Sequence, residues 1–74
     1  MNSDSFQIGL AAARVNANMS QAEVAEKLHV SNKTVCNWEN GKATPSFATV
    51  NSLSDLYKIP VDFIFIPKRT TLSE

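Results

Sequence analysis

The run from Ser20 to Gly41, SQAEVAEKLHVSNKTVCNWENG, leaves this chain few ways to fold. It carries two helix starts and two helix stops in one short span. Ser20 is followed three residues later by Glu23, the pattern of a capping box, in which each side chain binds the other residue's backbone N–H. Met19 before the cap and Val24 after it are placed as a hydrophobic staple. Ser31 offers a second N-cap, and Asn40 with Gly41 offers a stop. His29 and Val30 lie in the break between the two helices. Each helix is short, and isolated helices below ~12–15 residues are marginal in water. Packing against other elements must therefore hold the pair in place.

The rest of the chain supplies those elements. Phe6, Leu10 and Ala13 fall at i, i+4 and i+7, which predicts a first helix from about Ser5 to Asn16. Ser3, Asp4 or Ser5 can cap it, Gly9 falls in its middle, and Asn18 can close it in a left-handed conformation. Ala22, Val24, Ala25 and Leu28 give the second helix an inner face of mostly small residues. The third, Asn32 to Glu39, turns Val35 and Trp38 inward and Asn32, Lys33, Cys36 and Asn37 outward. Pro45 and Ser46 open a fourth helix from Phe47 to Tyr57, with Phe47, Val50, Leu53 and Tyr57 (or Leu56) on its inner face. The segment VDFIFI admits a single helical turn or a short strand, and PKRTTLSE reads as a polar tail. The expectation is an all-α bundle of four to five short helices. It forms one domain over residues 1–66, with a helix-turn-helix at about 20–40 and a tail over 67–74.

Composition narrows the function classes. A chain of 74 residues makes one small domain that buries only about 60 % of its unfolded surface, so a partner subunit would help it. No run of ~18 apolar residues is present to span a membrane, and the N-terminus lacks the pattern of a secretory signal. Cys36 is alone, which fits a reducing compartment and a cytoplasmic location. His29 has no second His or Cys at ligand spacing, so it reads as a turn residue and no metal is expected. One His, one Cys and scattered carboxylates give no nucleophile–base pair, and two glycines give no phosphate loop. Neither an enzyme nor a cofactor is expected. The net charge of zero counts against a nucleic-acid partner unless the charges are segregated. They can be: Glu23 is engaged in capping, Asp55 and Asp62 lie in the C-terminal half, and Lys33 and Lys42 flank the outward face of the third helix.

Two helices joined by a tight turn, the second with a polar outer face, present one helix as a rod that fits the major groove of DNA. The pieces AAR at Ala12 to Arg14, MSQAEVAEKLHVS at Met19 to Ser31, TVCNWENGK at Thr34 to Lys42 and PSFATV at Pro45 to Val50 make the match specific. Over residues 6–57 the chain resembles the Cro/C1-type (XRE-family) helix-turn-helix domain. His29 departs from that family's pattern, which usually has Gly in the turn. The resemblance implies a lambda-repressor-like fold in which the third helix faces base edges, with Asn32, Lys33 and Asn37 as base readers. Their chemistry suits the role: Asn can bond adenine N6 and N7, and Lys can reach guanine O6 and N7. It also implies phosphate contacts from Gln21, Asn40 and Lys42, and an ion pair of Arg14 with Glu39 linking the first helix to the third. Trp38 reads as core by its inward spacing, not as a base-stacking platform, and Cys36 as a small residue facing the DNA backbone, not as a redox sensor.

The C-terminal segment carries more apolar residues than one inner face requires. Phe63, Ile64, Phe65 and Ile66 would form a large patch if exposed, and such patches mark interfaces. The expectation is a homodimer paired through them; the alternative is that the segment folds back onto its own core. The chain is similar to the small Cro-like regulators of bacteriophages, which implies a sequence-specific regulator, mostly a repressor, acting on double-stranded operator DNA. A second class stays open: an antirepressor or antitoxin-type module that binds another repressor protein through the apolar C-terminal segment.

Overall fold

The computed structural model describes residues 7–66. The chain runs from a two-residue strand β1 (Ile8–Gly9) through four helices, α1 (Leu10–Asn16), α2 (Gln21–Leu28), α3 (Asn32–Asn40) and α4 (Phe47–Tyr57). A 3-10 turn (Val61–Phe63) and a second short strand β2 (Ile64–Phe65) follow. The fold is mostly helical, as expected.

The helix boundaries follow local chemistry. At α2 both halves of the capping box form: the Glu23 N–H donates to Ser20 Oγ at 3.0 Å, and the Ser20 N–H donates to Glu23 Oε1 at 2.8 Å. Ser31 accepts from the Thr34 N–H at 3.1 Å and Ser46 from the Thr49 N–H at 3.1 Å, so α3 and α4 start where hydroxyl caps were expected. Helix ends are left-handed at His29 (φ 60), Gly41 (φ 79) and Lys58 (φ 59). Asn18, just past α1, is left-handed too (φ 61). Three of these four positions lack the glycine that carries such angles without steric cost.

Helix α1 starts later than its apolar spacing suggests. Gly9 is not mid-helix; it is extended (φ −69, ψ 163) and precedes the first helical residue. Ile8 and Gly9 pair in parallel with Ile64 and Phe65. Backbone bonding to β2 therefore takes the first turn that periodicity alone would give to the helix. The proposed caps Ser3, Asp4 and Ser5, and Phe6, lie outside the described residues, as does the tail over 67–74. The segment that admitted a helical turn or a strand forms both in succession.

Leu10, Ala13, Val24, Ala25, Val35, Trp38, Leu53, Tyr57 and Ile64 make the core, with Leu53, Val24 and Val35 the largest side chains fully buried. Trp38 is buried as expected. Two residues are not where spacing put them. Ala22 is exposed, and Phe47 is 76 % exposed. Phe47 stands one turn beyond Val50 at the start of α4, past the rim of the core, so the right helical phase still leaves it in solvent. The four apolar C-terminal residues divide: Ile64 is buried, Ile66 is half-buried against the core, and Phe63 and Phe65 are exposed. Ile64 therefore cannot serve as surface in this fold; the fold-back alternative holds for it.

Candidate nucleic-acid interface

The outer face of α3 is set by its inner one. Val35 and Trp38 point into the core, and at ~100° per residue Asn32, Lys33, Cys36, Asn37 and Asn40 share the opposite arc. Asn32, Lys33 and Asn40 are exposed, and Cys36 and Asn37 are half-buried. The three expected base readers thus share one face of a helix held by a side-chain cap at one end and Gly41 at the other. Lys42 follows that glycine; its backbone N–H donates to Asn37 O at 2.9 Å, which ties the start of the next loop to α3.

Gln21 is the first residue of α2. The capping box uses the N–H groups of Ser20 and Glu23, so those of Gln21 and Ala22 are the first-turn donors outside it. Such donors at the positive end of a helix suit an anion. Exposed Ala22 places no bulk above them. Gln21 and α3 are brought together by contacts from behind. Arg14 Nε donates to Glu39 Oε2 at 2.7 Å, and Arg14 Nη2 to Glu39 Oε1 at 3.4 Å. Arg14 Nη1 donates to Met19 O at 2.8 Å, just ahead of α2. The implied Arg14–Glu39 pair is therefore present, with the side chains only 15 % and 6 % exposed. The hydrogen bond to Glu39 holds the Arg14 guanidinium above its ordinary basicity. Tyr57 sits within reach of the pair; burial first, and then the Glu39 charge, push its phenol up to about 12, against the opposing charge of Arg14.

The side-chain partners of two expected phosphate-contacting residues escaped the sequence reading. Gln21 Nε2 donates to Glu39 Oε1 at 2.9 Å, across a sequence separation that no local pattern signals. Asn40 Nδ2 donates to Cys36 Sγ at 3.2 Å, and here the i, i+4 spacing on one helix face was a usable signal. Each amide keeps a second N–H hydrogen for another acceptor. Charge is distributed as the segregation idea requires in part: Lys33 and Lys42 are exposed near α3, and Asp55 and Asp62 are exposed on α4 and the 3-10 turn. Glu26 on α2 is exposed as well.

Among the described residues no cluster of His, Cys, Asp and Glu could hold a metal, and no helix is long and apolar enough to cross a membrane. A family model described as helix-turn-helix matches residues 10–64. The chain is 30 % identical over 57 residues to the HTH-type transcriptional activator BcrR of Enterococcus faecalis. It is 36 % identical over 55 residues to the HTH-type transcriptional regulator ImmR of Bacillus subtilis (strain 168). These matches cover 77 % and 74 % of this chain but only 28 % and 43 % of the two relatives, so the chain spans less than half the length of either.

Proposed function

The chain belongs to the helix-turn-helix family, of the Cro/C1 (XRE) type, and on that premise we propose that it is a transcription regulator that binds double-stranded DNA in a sequence-specific way. The observation that carries this reading is the outer face of α3. Asn32, Lys33 and Asn37 stand together on a short helix capped at both ends. In the major groove, Asn32 and Asn37 bond adenine edges and Lys33 a guanine edge. Gln21 at the start of α2, and Asn40 and Lys42 at the end of α3, bind phosphates and fix the register. The form of regulation we propose is repression of the phage Cro type, in which a bound domain covers an operator and excludes other proteins from it. The protein acts in the cytoplasm, where that DNA lies.

The operator is read by two copies. Exposed Phe65 and Phe63, with half-buried Ile66 at the margin, are the surface through which they pair. A two-fold dimer places its reading helices about 34–36 Å apart, one turn of DNA, so the operator is roughly palindromic. One observation favours a second reading. A net charge of zero gives little non-specific attraction to DNA, which suits an antirepressor or antitoxin-type module that docks on another protein.

Selection of duplexes from a randomised pool, followed by sedimentation with and without the selected duplex, tests both. The regulator reading expects a palindromic consensus and a dimer on DNA. Phe65→Asp then yields a folded monomer with weakened operator binding. Recovery of no consensus sinks the regulator reading, and a chain that stays monomeric on the duplex sinks the homodimer.

A further inference from the structure

Gln21 does not stand alone at the start of α2: its side-chain nitrogen is bound by Glu39, a residue of α3. We propose that Glu39 is a positioning residue for the phosphate contact, holding the Gln21 amide with its nitrogen in place and its second N–H hydrogen available to a phosphate oxygen. This inference rests on the DNA-binding reading and deepens it.

A glutamine amide can turn through about 180° and exchange its nitrogen for its oxygen at little cost when nothing distinguishes them. Only the nitrogen can donate to a phosphate. Glu39 removes the ambiguity, because a carboxylate oxygen at 2.9 Å accepts from Nε2 and repels Oε1. A primary amide nitrogen carries two hydrogens, so one stays with Glu39 while the other serves the ligand beside the N–H groups of Gln21 and Ala22. Glu39 is itself fixed. Arg14 binds both of its carboxylate oxygens and also Met19 O, which precedes the capping residue Ser20. The Glu39 side chain is 6 % exposed and compensated by Arg14, so it acts on the phosphate through Gln21 and not by its own charge. The network thus ties the phosphate-binding end of α2 to the reading helix, and with it the register of α3 along the groove.

Glu39→Gln separates positioning from a purely structural role. Arg14 would bind the new amide oxygen, and the new amide nitrogen would face Gln21. Gln21 must then flip and present oxygen where nitrogen was. The experiment measures affinity for a duplex selected by the wild-type chain, using Glu39→Gln, Gln21→Ala and the double variant, at a temperature where circular dichroism shows each folded. Gln21→Ala and Glu39→Gln are each expected to weaken binding roughly tenfold, the scale of one hydrogen bond to a charged group. In the Gln21→Ala background, Glu39→Gln should have no further effect. Arg14→Lys keeps the charge but not the fork that holds both carboxylate oxygens. It is the milder variant should Glu39→Gln not fold, and it should show the same dependence on Gln21. Equal losses in both backgrounds, or binding of Glu39→Gln at wild-type strength, overturn the proposal. A wild-type chain that selects no duplex overturns the DNA-binding reading instead.

Discussion

Arg14 and Glu39 lie 25 residues apart in sequence and meet at 2.7 Å, joining α1 to α3 behind the proposed reading face. Both side chains are mostly withdrawn from water, so the pair differs from an exposed salt bridge, whose contribution is typically ~0–1 kcal/mol. Arg14→Ala would leave a nearly buried carboxylate with Gln21 as its remaining partner. The expected loss is about 3 kcal/mol, the lower end of the range for a broken buried pair because Gln21 still donates. Urea denaturation followed by the fluorescence of the sole tryptophan, Trp38, measures it. An unchanged midpoint would mean that the pair is dispensable.

The reading face makes a prediction of a different shape. Asn32→Ala, Lys33→Ala and Asn37→Ala should each weaken specific binding by ~1–3 kcal/mol and relax base preference at distinct positions. Gln21→Ala should weaken all sequences alike, since a phosphate contact carries no base information. Competition between the selected duplex and its single-base variants distinguishes the two classes. If the three α3 variants kept wild-type preference, base reading would have to be assigned to other residues.

His29 closes α2 with φ 60, an angle that costs a residue with a Cβ about 1–2 kcal/mol. Glycine avoids that cost but loses more entropy on folding, ~0.5–1 kcal/mol. His29→Gly should therefore stabilise the fold by about 0.5–1 kcal/mol and raise the melting temperature by a few degrees. A lower melting temperature would show that the imidazole makes a contribution its exposed position does not suggest.

Tyr57 sets the alkaline limit. Its phenol is raised from the ordinary 10.0 to about 12, because burial and the Glu39 charge favour the neutral form. The stability from this shift is complete below pH 10.0 and falls as pH rises toward about 12, since the unfolded chain ionises first. Tyr57→Phe should flatten that fall between about pH 10 and about pH 12. Tyr57 is the sole tyrosine, so phenolate absorbance reports its titration directly. Ionisation near pH 10.0 in the folded protein would contradict the burial argument.

What was legible in the sequence was what neighbours in sequence decide. Ser20 with Glu23, Ser31, Ser46, Asn18 and Gly41 each work within a turn of their own position, and each does what its type and spacing suggest. Arg14 with Glu39 was reachable only through the family resemblance, because nothing local connects them. Misses arose where a distant element decides. Periodicity gives Gly9 to a helix because its competing partner, Phe65, lies at the far end of the described chain. Phe47 had the right helical phase, but how far the core extends along α4 is a property of the packed whole. The family resemblance gives Gln21 its proposed phosphate contact but not its link to Glu39, which only the packing of α2 on α3 creates.

The pairing of Ile8 with Ile64 brings together the two ends of the described chain. Every helix of the described residues lies inside the loop that this pairing closes. Closing so long a loop is unfavourable in chain entropy, and a two-residue ladder with one buried isoleucine returns little until the helices between have condensed. The clasp is therefore a late event in folding and an early one in unfolding. Weakening it, for example by Ile64→Val, speeds unfolding while leaving the folding rate nearly unchanged, and the two limbs of a denaturant-dependent kinetic plot record that asymmetry. A chain whose α2–α3 unit can assemble before its ends meet keeps its proposed reading surface in the part of the molecule least exposed to fraying.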